Sequence, residues 1–146
     1  MTFVDLQEHH CPVLAKHYVE TYNSPPWNDE WTEPLAAEKL KEIMDSSGSY
    51  GLVCYDDASN FAGAILGNSE TYFNCKHFFI KDFFVSLSLQ GKGIGSLLMA
   101  ELEKRLAAKG ITKTYLFTSK GDQTEGFYNR RGYTTWEGMV MMGKSI

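Results

Sequence analysis

Three closely spaced glycines in Gln90-Gly91-Lys92-Gly93-Ile94-Gly95 carry the clearest chemistry in the sequence. They follow the apolar run Phe78-Phe79-Ile80-Lys81-Asp82-Phe83-Phe84-Val85 and open a segment of helical periodicity. Glycine lacks a Cβ, so such a turn can reach positive φ and aim successive backbone N–H groups at one anion. The start of the following helix adds partial positive charge, and the expected result is a phosphate cradle. The GxGxG spacing lies late in the chain and is not the GxGxxG of a dinucleotide-binding fold, and the Gly-Lys-Ser/Thr of a nucleotide P-loop is missing. Asp82 is the second feature, because it interrupts an apolar strand. Such a carboxylate either accepts a proton in a reaction or is tied to neighbouring backbone, Lys81 or Lys76. The third is Pro25-Pro26-Trp27-Asn28-Asp29-Glu30-Trp31. Here Trp27 and Trp31 can flank a cation that Asp29 and Glu30 attract, or the tryptophans can simply anchor a long loop.

The elements that must position these residues are legible in the pattern. Val13, Leu14, Tyr18 and Tyr22 predict a helix within residues 5–22, with Pro12 in its first turn. Two prolines make residues 23–31 an irregular loop. Thr32 is placed to cap a second helix, with Pro34 in its first turn, Ala36, Leu40, Ile43 and Met44 on one face, and Ser46-Ser47-Gly48 ending it. Residues 50–56 and 61–66 read as a β-hairpin, and 77–85 as a strand buried on both faces. A helix over 96–109 and a strand over 112–118 complete a right-handed β-α-β crossover, which brings the helix start to the strand tips where ligands bind in α/β sheets. A short helix over 123–131 and a last hairpin, 133–136 with 139–142, are expected to close the sheet.

A chain of 146 residues with 43% hydrophobic and 14% aromatic residues suits a single domain, 1–146, with one core. A net charge of −4 argues against a sequence-independent nucleic-acid binder, which needs a basic face, and suits a cationic substrate. No apolar run reaches the ~20 residues of a membrane span, and no basic-then-apolar leader opens the sequence, so a cytoplasmic protein without a membrane partner is expected. Cys11, Cys54 and Cys75 are odd in number and unclustered, predicting reduced thiols rather than a disulfide framework or a zinc site. His9, His10 and His17 lack companion ligands at matching spacing, and a solvated helix start is expected there.

The stretch Val85-Ser86-Leu87-Ser88-Leu89-Gln90-Gly91-Lys92-Gly93-Ile94-Gly95-Ser96-Leu97-Leu98 resembles motif A of the GNAT acyltransferases. Phe127-Tyr128-Asn129-Arg130-Arg131-Gly132-Tyr133 resembles their motif B. The proline-tryptophan-asparagine loop, with Phe117-Thr118-Ser119-Lys120, is similar to a bacterial subgroup loosely grouped with aminoglycoside 6′-acetyltransferases. The resemblance implies an α/β fold whose mixed, mostly antiparallel sheet splays between the strands ending near Val85 and Thr118, to admit acetyl-CoA as co-substrate. It implies that Gln90, Gly91, Lys92, Gly93, Gly95 and Ser96 hold the pyrophosphate, and that the backbone of Phe84 and Val85 pairs with pantetheine. Tyr128 would protonate the departing thiolate. Asp82 is the first choice for the base that deprotonates the amine, ahead of Glu125, while Trp27, Asp29 and Trp31 lie on the acceptor side. A thiol nucleophile at Cys75, activated by His77, is the remote alternative. Gly121 departs from the asparagine that many members use to hold the pantetheine arm. The implied reaction is direct transfer of acetyl to a primary amine of a small molecule or peptide, without an acyl-enzyme or metal. A CoA-binding sensor without turnover and a protein N-acetyltransferase are the alternatives. An exposed last strand can pair across a homodimer axis.

Overall fold

A computed structural model describes the whole chain, residues 1–146, which forms two units, Met1–Leu116 and Phe117–Ile146. In the first, β1 (Thr2–Asp5) and a 3-10 turn (Glu8–His10) precede α1 (Cys11–Tyr22) and α2 (Glu33–Met44). Then come β2 (Ser49–Tyr55), β3 (Phe61–Thr71), β4 (Lys76–Val85), α3 (Ile94–Ala108) and β5 (Lys113–Leu116). The strands form one sheet in chain order, antiparallel throughout except for the parallel β4–β5 pair that α3 connects. β1 was not foreseen, because Thr-Phe-Val-Asp is too short to show a period; it adds to the β2 edge in register from Thr2 opposite Tyr55.

Because side chains alternate between two covered faces, β3 is apolar from Phe61 to Gly67 and turns polar only from Asn68 on. Val53, Ala64, Leu66 and Phe84 share a core with Leu14, Ala15 and Tyr18 of α1 and Ala36, Leu40 and Ile43 of α2. The opposite face of β3 meets α3, since a Cβ on Gly63 would lie 3.5 Å from Leu98 Cδ2. The expected caps form: Thr32 Oγ1 accepts from Leu35 N–H, and Gly110 follows α3 with φ 75°. His10 is buried rather than solvated, and its Nδ1 accepts the Gln7 N–H at 2.9 Å, so that burial lowers its pKa.

In the second unit, α4 (Glu125–Asn129) is held by its own loop, with Thr124 Oγ1 donating to Ser119 O at 2.6 Å and Arg130 paired with Asp122 at 2.8 Å. The expected final hairpin is absent. A turn at residues 136–139 forms, with Met139 N–H bonded to Trp136 O, but no ladder flanks it, and residues 139–142 are exposed. An apolar run alone does not make a strand when nothing pairs with its backbone.

Candidate active site

Asp82 owes its orientation to a bulge. Leu66 of β3 pairs with Asp82 but the next residue, Gly67, pairs with Ile80, leaving Lys81 as an extra, exposed residue in β4. The alternation that places Asp82 and Phe84 on one face therefore is not continued at Ile80, and Asp82 points to the side of α1 and α2. Gly67 permits this, since a Cβ there would run into the Phe79 carbonyl.

Around the buried Asp82 carboxylate the first unit gathers a cation and several rings. Lys39 Nζ of α2 lies 3.5 Å from Asp82 Oδ2, 5.6 Å from the Tyr18 ring centre and 5.4 Å from that of Trp31. This pair is long, and Oδ2 has no well-aligned hydrogen bond despite its burial. The partner is thus neither Lys81 nor Lys76. Burial pushes the Asp82 pKa up to about 6, against the opposing effects of Lys39 and of the nearby Tyr18 and Tyr22 hydroxyls. Burial likewise raises the pKa of Tyr18, with the Asp82 charge adding to it, so the phenol stays protonated.

The loop between α1 and α2 packs onto this cluster. Trp31 meets Tyr18 edge-on at 5.1 Å, and Trp27 meets Tyr22 at 5.2 Å, so both tryptophans do anchor the loop. Asn23 clamps the backbone of Trp31 in both directions, at 2.8 and 2.9 Å. Asp29 accepts the Trp31 indole N–H at 3.0 Å. The structure therefore brings Trp27, Asp29, Trp31 and Asp82 together. Lys39, Tyr18 and Tyr22 were missed as site residues. The available signal was Lys39 itself, a charge three residues after Ala36 and four before Ile43 on the inward stripe of α2.

At the end of β4 the ladder to β5 stops at Ile80 opposite Leu116, while β4 runs on to Val85. The Gln90 side chain donates to Val85 O at 3.2 Å and pins the connection to the strand end. Gly91 and Gly93 have φ of 75° and 81°, with open space where a Cβ would stand. Gly93 is the N-cap of α3, and that fifteen-residue helix starts with no side-chain cap and no acid in its first turn. Lys92 is exposed, and Gly95 and Ser96 lie in the first turn. These features suit a pyrophosphate: a helix start without a side-chain cap, one lysine and room for the ligand.

Tyr128 lies in the second unit on α4, half-buried between Phe127 at 5.1 Å and Tyr133 at 5.8 Å. Gly121 has φ 139°, a conformation an asparagine would rarely adopt, so the loop has a backbone made for glycine there. Cys75 bonds Asn74 Oδ1 at 3.3 Å and His77 stacks on Tyr72, so the two do not form a nucleophile–base pair.

Residues 14–142 match the family model described as acetyltransferase (GNAT) domain. An integron cassette protein from the mobile metagenome of V. cholerae has the same fold, with a TM-score of 0.80, 20% identity, and 99% of this chain and 91% of that one covered. So does an aminoglycoside acetyltransferase from an uncultured soil metagenomic sample, in complex with sisomicin: TM-score 0.72, 16% identity, 99% and 95% covered. A transcriptional regulator from Bacillus halodurans C-125 superposes with a TM-score of 0.76 at 17% identity, with 98% and 99% covered. No curated protein sequence is significantly similar to this chain. At these identities the solved structures speak for the fold alone, but the family model spans nearly the whole sequence, and the chain belongs to the GNAT acetyltransferase family.

Proposed function

We propose that this GNAT protein is a single-domain, cytoplasmic N-acetyltransferase that moves the acetyl group of acetyl-CoA directly to a primary amine of a small molecule or peptide. The observation that carries this reading is Asp82, a buried carboxylate with a pKa raised to about 6, set among aromatic rings three residues before the open end of β4 at Val85. A base for an alkylammonium must be ionised near neutrality yet basic enough to take a proton, and Asp82 meets both conditions.

The residues divide the work. Backbone N–H groups of Gly91, Lys92, Gly93, Gly95 and Ser96, with the Lys92 ammonium and Gln90, hold the pyrophosphate; backbone of Phe84 and Val85 lines up pantetheine as an added strand. Acetyl-CoA supplies the acyl group as a thioester. Trp27, Trp31 and Asp29 orient the amine, Asp82 receives its proton as the C–N bond forms, and Tyr128 gives a proton to the thiolate as the C–S bond breaks. An amine acceptor also fits the aminoglycoside acetyltransferase among the structural relatives.

The test is CoA thiol release across polyamines, amino acids, aminoglycosides and short peptides, with Tyr128→Phe alongside. The expected outcome is turnover with one acceptor class and a loss of roughly 10²-fold or more in the variant, with acetyl-CoA binding retained. Binding of acetyl-CoA with no transfer to any amine would instead identify a CoA-binding sensor.

A further inference from the structure

We propose that the space between Asp82, Tyr18 and Trp31 is an ammonium seat occupied by the chain's own Lys39, and that the acceptor is an unbranched alkyl primary amine that displaces it. This deepens, and rests on, the reading of the protein as an amine acetyltransferase.

The Lys39 ammonium already makes the contacts that an acceptor ammonium would need. It lies 3.5 Å from the carboxylate and 5.6 and 5.4 Å from two ring centres, within the range of cation–π attraction. Its side chain is 38% exposed, whereas that of Asp82 is 5% exposed. The lysine can therefore swing into water, and the carboxylate cannot. Asp82 Oδ2, buried and without an aligned hydrogen bond, retains capacity for a closer donor, and an alkylammonium brings three N–H groups.

Charge decides which ligands can enter. An unpaired buried carboxylate is costly, so a resident lysine keeps Asp82 paired while no acceptor is present. Exchange of one ammonium for another conserves the local charge, whereas a neutral or anionic ligand that expelled Lys39 would strand Asp82. Two ammonium groups in one seat repel each other, so entry and displacement are coupled. The other groups facing the seat are Tyr18 and Tyr22 from α1, and Trp31 with its Asp29 partner from the loop. A lysine arm is itself an unbranched alkylamine, so it reports the cross-section the rings admit.

The probe is n-butylammonium, titrated calorimetrically at pH 8 into protein free of acetyl-CoA. Lys39→Met is expected to bind it at least tenfold more tightly than the wild type, with tert-butylammonium weaker, and the double variant Lys39→Met/Asp82→Asn is expected to lose that gain. Equal affinity in wild type and Lys39→Met, or gain retained in the double variant, overturns the proposal. In the wild type, where folding is not at issue, the Trp31 indole N–H resonance should shift saturably with n-butylammonium and not with n-butanol; no such shift also overturns it. These arms need no turnover. Amine acetylation without them leaves the proposed function standing and removes the seat, whereas seat binding without transfer to any amine does the reverse.

Discussion

Burial raises the Asp82 pKa to about 6 even though Lys39, Tyr18 and Tyr22 act to lower it, so the folded protein carries a strained charge at neutral pH. The sign of its effect on stability follows from linkage. Below about pH 4 the carboxyl is protonated in folded and unfolded chains alike and burying it costs no charge desolvation. As pH rises through the window between 3.8 and about 6, only the unfolded chain releases the proton readily, and stability falls. Above that window the penalty is complete, at most roughly 3 kcal/mol for a shift of this size. Asp82→Asn should therefore melt higher than the wild type at pH 7.5 and no higher at pH 3.5, because Lys39 can turn to solvent once its partner is neutral. The same substitution should reduce acetyl transfer by ~10²–10⁴-fold. In the wild type, kcat/KM should gain an acidic limb with an apparent pKa near 6. Paired thermal melts and a pH–rate profile check both expectations. A gain in stability with a loss of turnover is the signature of a group kept for chemistry.

At the scale of elements, α3 separates glycines needed for backbone shape from those needed for ligand. Gly93 before the helix and Gly110 after it have φ of 81° and 75°, and a Cβ at either meets nothing within 4 Å. Alanine at either position should cost ~1–2 kcal/mol for left-handed backbone, giving similar falls in Tm. Only Gly93→Ala should weaken CoA binding, because in the proposed cradle its N–H and the open space beside it face the anion; equal CoA affinities would move the cradle elsewhere. The helix and its glycine boundaries were readable from sequence because capping chemistry is local. So were β2, β3 and β4, whose runs are strongly apolar. The tertiary chemistry was not legible. Lys39 reaches Asp82 only after α2 docks on the sheet, and the Lys81 bulge appears only when β4 is paired with β3. The irregular loop over 23–31 was readable from its two prolines and its aromatic and acidic composition, yet the Asn23 clamp that shapes it joins residues eight apart through a side chain. The last hairpin failed for the opposite reason, since Met139-Val140-Met141-Met142 has the composition of a strand but no ladder.

Across the whole molecule, the two substrates of the proposed reaction would meet fields of opposite merit. The chain carries a net charge of −4, which attracts a cationic acceptor and repels CoA with its phosphates. In the proposed reaction the anion must therefore be held by short-range means, and the α3 start offers them: backbone N–H groups, a helix end and Lys92, all effective over a few ångströms. A cationic acceptor would need no such device for encounter, because the net negative charge would steer it. Salt separates the two contributions, since the Debye length is about 10 Å at 0.1 M and shrinks to about 3 Å at 1 M. Raising NaCl from 20 to 300 mM should lower the association rate of a polycationic acceptor several-fold, by screening an attraction. Over the same range the association rate of acetyl-CoA should stay level or rise, because the long-range term screened there is a repulsion. Stopped-flow association with each ligand alone measures both slopes. A fall for both would mean that a local positive field around the glycine turn outweighs the net charge of the protein, and would place more of CoA recognition on Lys92 than on the helix start.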